Sequence, residues 1–317
     1  MKISLKNNPI LSVVILNYNA KDYLKKCLQS INKSILSGYS IEIIIADNAS
    51  TDNSIELAKT VKSTNPQINF IFRNNSGNIG FAAGNNEGLT ASNPASKYVL
   101  FLNPDTTVET DTFRKIIDFF QHHPDVDAAT CNLILALTGK TQPESHRGFP
   151  TPWNAFCHFF GFGLPKLFPH TKFFNGYFLG HLDYSKVQKI DACVGAFIMI
   201  KREVGQKINW WNEKYFMYGE DLDLCWQIKQ KGFNLYFYPG CKTTHYQGVS
   251  SGIIAHSQKI SSASRITKAR SALATTSAMR IFYQENLIKN YPHSLHWLVW
   301  LGIDILEKYR LFKAKYL

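Results

Sequence analysis

The chain has 317 residues, of which 45% are hydrophobic and 18% charged, a balance that supports a sizeable core and excludes a disordered chain. Lysine and arginine number 35 against 23 aspartates and glutamates, a formal net charge of +12, so the surface favours anions such as nucleotide phosphates, acidic lipid headgroups or nucleic acid. Charge alone chooses none of these, and a basic surface kept for solubility is the simplest account until a motif decides. The length suits one large α/β domain with an appendage. Cys27, Cys131, Cys157, Cys193, Cys225 and Cys241 lie far apart with no CxxC pair, which argues against a zinc site and a disulfide framework and for free thiols. Lys2 and Lys6 precede Leu11–Leu16, an apolar run too short for a secretion signal and read as a first strand. No uninterrupted apolar run approaches the roughly 20 residues that cross a bilayer.

Up to about residue 130, short β-branched runs alternate with amphipathic stretches, the pattern of βαβ units around a mostly parallel sheet. Strands are expected at Leu11–Leu16, Ile41–Ala46, Ile68–Phe72, Tyr98–Leu102 and near Ala128–Leu133, each bounded by turn-forming residues. The first helix places Tyr23, Leu24, Cys27, Leu28 and Ile31 on one stripe with Asp22 as its cap. A second follows Ser50-Thr51-Asp52 and ends before Asn65-Pro66, and a third follows Asn78-Ile79-Gly80. Residues 134–190 lose the alternation and are rich in Gly, Pro, His and Phe, the composition of a variable, substrate-facing loop region. Regularity returns with a strand over Val194–Ile200 and a helix over Glu220–Lys231, which would bury Leu222, Cys225, Trp226 and Lys229 and close at Gly232. The boundaries expected are a domain over 1–250 and a helical C-terminal extension over 251–317.

Ligands of open parallel sheets sit at the carboxyl ends of strands. There the chain carries Asn17-Tyr18-Asn19, Asp47-Asn48-Ala49-Ser50-Thr51-Asp52, Arg73-Asn74-Asn75 and Asn103-Pro104-Asp105. Each alone is ordinary turn chemistry. Together they point to a cleft, because Asp47 and Asp105 both end apolar strands, where a carboxylate needs a metal, a base or a cap. Asp105 suits a divalent cation, Mg²⁺ or Mn²⁺, shared with a diphosphate; a β-turn in which Asp105 or Thr106 caps a helix starting near Glu109 fits the same four residues.

Glu220-Asp221-Leu222-Asp223 places three carboxylates in four positions at a helix start, which a helix N-terminus tolerates without any function. The preceding Tyr215-Phe216-Met217-Tyr218-Gly219 should exclude water and suit a general base toward a hydroxyl. His245 follows a strand at Leu235–Tyr238 and the turn Pro239-Gly240. Beside Gln247-Gly248 and Ser250-Ser251 it reads as a surface histidine or as a ligand or phosphate contact.

Taken in order, Ser12–Asn19, Asp47–Asp52, Asn78-Ile79-Gly80-Phe81 with Asn85, Leu102-Asn103-Pro104-Asp105, Val194-Gly195-Ala196 and Tyr218–Leu224 resemble the inverting glycosyltransferases of family 2, in particular the bacterial rhamnosyltransferase-like branch, over roughly residues 10–250. The resemblance implies a GT-A fold, a Rossmann-like sheet flanked by helices. It implies a donor-nucleotide site at Asn17, Tyr18, Asp47, Asn48, Asn78, Gly80 and Asn103. Asp105 corresponds to the last carboxylate of the DXD metal motif, His245 to a histidine that completes the metal site in some relatives, and Asp221 to the base, with Glu220 beside it. Asn103 stands where the first acidic residue of that motif is usual, so the metal has fewer charged ligands.

The implied reaction moves a sugar, L-rhamnose from dTDP-rhamnose in this branch, to a hydroxyl of a cell-surface polysaccharide or a lipid-linked glycan, with inversion. Galactofuranose, glucose or N-acetylglucosamine donors keep the same fold, and a catalytically silent nucleotide-binding or lectin-like subunit keeps the cleft. Nucleic-acid binding has no motif behind it. Arg280 and Lys289 read as phosphate contacts or, more simply, a solvated helix face. Leu295-His296-Trp297-Leu298-Val299-Trp300-Leu301, with Lys308, Arg310, Lys313 and Lys315 after it, has the composition of a helix at a membrane interface and equally of one packed on the core or on a second copy in a homo-oligomer. The expected location is the cytoplasm, peripheral to the inner face of the cell membrane.

Overall fold

The structure is a computed structural model that describes residues 8–246 and 265–316, with side chains over 8–246 and 269–315. Lys2, Lys6 and the polar run from Gln247 to Ser251 lie outside the described residues. In chain order the elements are β1 (Leu11–Asn17), α1 (Lys21–Asn32), β2 (Ile41–Asp47), α2 (Ser54–Lys59), β3 (Ile68–Asn74), α3 (Phe81–Thr90), β4 (Tyr98–Leu102), β5 (Thr106–Val108), α4 (Thr112–His122) and β6 (Ala128–Leu135). They continue with α5 (Pro152–Phe160), α6 (Leu164–Leu167), α7 (Lys172–Asn175), β7 (Gln188–Lys189), β8 (Phe197–Lys201), α8 (Arg202–Ile208), α9 (Glu220–Gln230), β9 (Leu235–His245), α10 (Arg265–Phe282) and α11 (His293–Tyr316).

The sheet runs β3-β2-β1-β4-β8-β6-β9-β5, with β7 also on β9. β3, β2, β1 and β4 are parallel, β8 inserts antiparallel between β4 and β6, and β9 lies parallel to β6. Every residue of β1, β2 and β4 is buried, as expected of parallel strands covered on both faces. β9 passes Pro239-Gly240 without ending, because the register jumps between Cys131↔Tyr238 and Asn132↔Lys242 and the intervening residues form a bulge. Antiparallel pairing then sets Thr106 of β5 opposite His245, which brings the end of β9 beside Asp105.

Several local expectations are corrected. Asp22 caps nothing, since α1 has no side-chain cap from its own N-cap residue; Asp52 accepts from the Lys21 N–H and from the Ser54 N–H, each at 2.9 Å, and so serves the starts of α1 and α2. α2 stops at Lys59 rather than near Asn65. Thr106 enters β5 instead of capping a helix. Residues 134–190 hold the end of β6, a 3₁₀ turn over Pro143–Ser145, three short α-helices and the strand β7 rather than loop alone. The buried face of α9 is Glu220, Asp221, Asp223, Leu224, Cys225 and Ile228, while Lys229 is exposed and pairs with Asp191.

Ala278, Phe282, Tyr283 and Leu287 share a core cluster with Phe149, Trp211, Leu224 and Cys225. Arg280 is not an unpaired solvated cation: it holds Asp304 and Glu307 of α11 at 2.7 Å each. The extension therefore packs on the domain. Among the described residues no helix is long and apolar enough to cross a membrane, and the six cysteines are free and buried.

Candidate active site

The carboxyl ends of β1, β2 and β4 open on one side of a cleft of about 1860 Å³ lined by residues from both halves of the chain. On its near wall, Asn17 donates from Nδ2 to Asp47 Oδ1 at 2.6 Å and to Ser54 Oγ at 2.7 Å, and Asp47 also accepts from the Ser50 N–H and hydroxyl. Both residues are buried, at 0% and 3% exposure, and stand behind the wall. Tyr18, Asn48, Asn78, Gly80 and Asn103 line the cleft itself. Asn48 donates to the Gly80 carbonyl at 2.9 Å and accepts from Asn75 at 2.7 Å, so β2, β3 and the start of α3 are tied at one point. Gly80 has φ +90°, and a Cβ there would lie 2.6 Å from the Phe216 carbonyl oxygen. Only glycine fits that approach, which carries the 216–219 loop over the donor side.

Asp105 and His245 meet as the strand pairing requires, with His245 Nε2 3.3 Å from Asp105 Oδ1. His245 Nδ1 lies 2.7 Å from Gln142 Oε1. A carboxamide oxygen accepts, so Nδ1 carries a proton; with a second proton on Nε2 the imidazolium donates to Asp105, and without it the Nε2 lone pair faces the cleft, available as a metal ligand. Burial alone would push the Asp105 carboxyl up, but the charge and hydrogen bond of His245 overturn this and hold it below the ordinary carboxylate value. An oxygen and an imidazole nitrogen, the latter oriented by a carboxamide behind it, is a donor set that suits Mg²⁺ or Mn²⁺ when phosphates complete the shell. Among the described residues no third His, Cys, Asp or Glu joins them.

The opposite wall is the N-terminus of α9. Asp221 Oδ2 accepts from Arg147 Nη2 at 2.6 Å and from the Gly195 N–H at 3.4 Å. Gly195 belongs to the turn before β8, and the Ala196 carbonyl accepts from the Asn103 N–H at 3.0 Å. Through that link Asp221 and the Asn103–Asp105 turn face one space, and both line the cleft. Burial first, and the Asp221 charge second, raise Glu220 to about 8 from an ordinary value of 4.5, so at neutral pH it is protonated. Burial disfavours the Arg147 charge, yet Asp221 more than offsets this and keeps the guanidinium protonated. Asp223 turns away and is held by Asn286 at 2.7 Å and by the Tyr215 hydroxyl at 3.3 Å.

Sequence reasoning missed Arg147, Gln142 and the aromatic wall of the cleft. Arg147 sits in the unpatterned segment, anchored by reciprocal backbone bonds with Ala192 at 2.8 Å. Its only signal was an arginine in a stretch with no carboxylate from 147 to 182. Trp153, Phe156, Phe159 and Phe160 of α5, with Leu298, Leu301 and Ile305 of α11, line an apolar arm of the same cleft.

Residues 12–209, more than half of the chain, match the sequence profile described as Glycosyl transferase family 2. The rhamnosyltransferase WbbL of Escherichia coli is 25% identical over 240 residues, which cover 74% of this chain and 82% of that protein. The low-salt glycan biosynthesis hexosyltransferase Agl10 of Haloferax volcanii is 26% identical over 227 residues, 71% of this chain and 63% of that protein. Two solved structures share the fold at low identity. One is the mannosyltransferase PcManGT of Pyrobaculum calidifontis in complex with GDP-Man and Mn²⁺, with TM-score 0.56, 14% identity and coverage of 98% of this chain and 74% of that one. The other is S. aureus TarS in complex with UDP-GlcNAc, with TM-score 0.52, 15% identity and coverage of 83% and 66%. The architecture is accordingly the GT-A fold, and the chain spans less than two thirds of Agl10 and TarS.

Proposed function

The chain belongs to glycosyl transferase family 2, and on that premise we propose which sugar it moves, to what, and with which residues. It is a glycosyltransferase that uses a nucleotide-sugar donor. The donor of this reading is dTDP-L-rhamnose, supported by the likeness to WbbL. The acceptor is a hydroxyl of a cell-surface polysaccharide or its lipid-linked precursor. Residues 1–250 carry the chemistry, and 251–317 serve as a helical extension.

The observation that carries the reading is that Asp105 and Asp221, far apart in sequence, line one cleft. Tyr18, Asn48, Asn78, Gly80 and Asn103 take the nucleotide, with Asn17 and Asp47 holding that wall in place. Asp221 takes the proton of the acceptor hydroxyl, and the oxygen attacks the anomeric carbon from the face opposite the diphosphate, so the product is inverted. Protonated Glu220 adds no second negative charge beside the leaving diphosphate. Asp105 and His245 would hold Mg²⁺ or Mn²⁺, which when bound supplies counter-charge to the diphosphate.

The likeness to PcManGT with GDP-Man and Mn²⁺ supports a metal-assisted site. A peripheral contact with the inner face of the cell membrane through the C-terminal helices, in a cytoplasmic protein that also forms a homo-oligomer, completes the reading. Exposed Trp297 and Tyr309 on α11 support the membrane contact.

The test is a donor panel of dTDP-rhamnose, UDP-galactofuranose, UDP-glucose and UDP-N-acetylglucosamine, assayed with Mn²⁺ or Mg²⁺ against a chelator control. Turnover from dTDP-rhamnose alone supports the proposal, and turnover from another donor replaces the sugar. Nucleotide affinity without hydrolysis or transfer from any donor would make the chain a silent nucleotide-binding subunit.

A further inference from the structure

Six exposed apolar side chains from two distant segments line one arm of the cleft. Phe162, just after α5, is fully exposed, and Trp153 and Phe156 are 42% and 48% exposed. Across from them, Leu298, Leu301 and Ile305 of α11 are 47%, 47% and 49% exposed. The two segments are neighbours. The Arg310 guanidinium sits 5.6 Å from the centre of the Phe159 ring, and a methyl at Gly302 would lie 3.7 Å from Phe160. On α11, exposed Trp297, Leu301, Ile305 and Tyr309 recur every fourth residue, one continuous helical stripe. Scattered apolar residues are ordinary on a surface, whereas a contiguous face of this kind marks a binding surface.

The charges around this face choose its partner. From residue 147 to residue 182 there is no aspartate or glutamate, and Lys166 and Lys172 stand beside the exposed Leu167 and Phe173. On α11 the carboxylates Asp304 and Glu307 are both taken by Arg280, while Lys308 is exposed. A face whose rim is positive and whose floor is aromatic complements anionic headgroups over hydrocarbon. Against a second copy of itself it would set like charges together.

We propose that the α5–α7 lobe and α11 form a single docking face for the anionic surface of a lipid bilayer, with the apolar arm of the cleft opening onto the membrane. A hydroxyl presented at that surface then reaches Asp221 without leaving it. The docking face deepens the peripheral membrane contact proposed above by naming the surface that makes it, and this last consequence rests on the transfer reading as well.

The experiment is co-sedimentation of the full chain with vesicles of phosphatidylcholine alone and of phosphatidylcholine with phosphatidylglycerol. The chain is expected to sediment with the anionic vesicles, less so as salt rises. The Lys166→Gln/Lys172→Gln variant should bind roughly 30-fold more weakly, about a fivefold loss for each surface lysine. The Phe162→Ser/Leu301→Ser variant should lose binding while melting at the temperature of the parent. Absence of sedimentation with either vesicle, equal binding to neutral ones, or unchanged binding by both variants overturns the proposal. So does a dimer in analytical ultracentrifugation that the Phe162→Ser/Leu301→Ser variant dissociates. Vesicle binding without sugar transfer would leave the docking face standing and remove the transfer reading; transfer without vesicle binding would do the reverse.

Discussion

Replacing Arg147 with methionine should damage the enzyme more than any other single change outside the reacting groups. The guanidinium and the Asp221 carboxylate are 10% and 11% exposed and 2.6 Å apart, so removing the cation strands a buried anion. Breaking a pair of this kind costs about 3–5 kcal/mol. Arg147→Lys, which keeps the charge but not the planar fork, should fall between the two.

The control is a double-mutant cycle: in an Asp221→Asn background, Arg147→Met should cost far less stability, because no buried anion remains. If Arg147→Met melts with the parent and keeps its kcat, or costs the same stability in both backgrounds, the ion pair is not what positions Asp221.

Three further outcomes follow from the same geometry. Asp221→Asn should retain nucleotide affinity and lose about two or more decades of kcat, as expected when a general base is removed; near-parental turnover removes its role. Glu220, raised from 4.5 to about 8, binds its proton more tightly folded than unfolded. Its contribution to stability is therefore fully present below pH 4.5 and is lost as pH rises through 8. The melting temperature of Glu220→Gln should lack that decline, and parallel pH curves for variant and parent would contradict the assignment. Gln142→Leu removes the acceptor that orients His245, and loss of such a supporting hydrogen bond should raise the Mn²⁺ concentration for half-activation about 10- to 100-fold. An unchanged activation curve would show that His245 holds no metal.

The parallel half of the molecule was readable because Leu11–Leu16, Ile41–Ala46 and Tyr98–Leu102 are short, mostly apolar runs, interrupted only by Ser12 and Glu42, of the kind that suits strands covered on both faces. α9 was misread for the opposite reason. Periodicity assigns carboxylates to water, and on that rule Leu222 and Lys229 belong to the buried side. Instead Asp221 finds Arg147, and Asp223 finds Tyr215 and Asn286, so the acidic face turns inward.

A helix buries its carboxylates only where other segments supply the partners. Here those partners come from three places in the chain, residues 147, 215 and 286, none of which is near α9 in sequence except Tyr215. Arg147 was invisible for the same cause, since its importance is defined by a residue 74 positions away. The placement of His245 shows the same dependence on long-range structure. The Pro239-Gly240 pair reads locally as a strand end, yet pairing on β6 carries β9 across it as a bulge. That bulge decides what stands beside Asp105: were β9 to stop at Tyr238, nothing would set His245 opposite Thr106, and Asp105 would have no imidazole within reach.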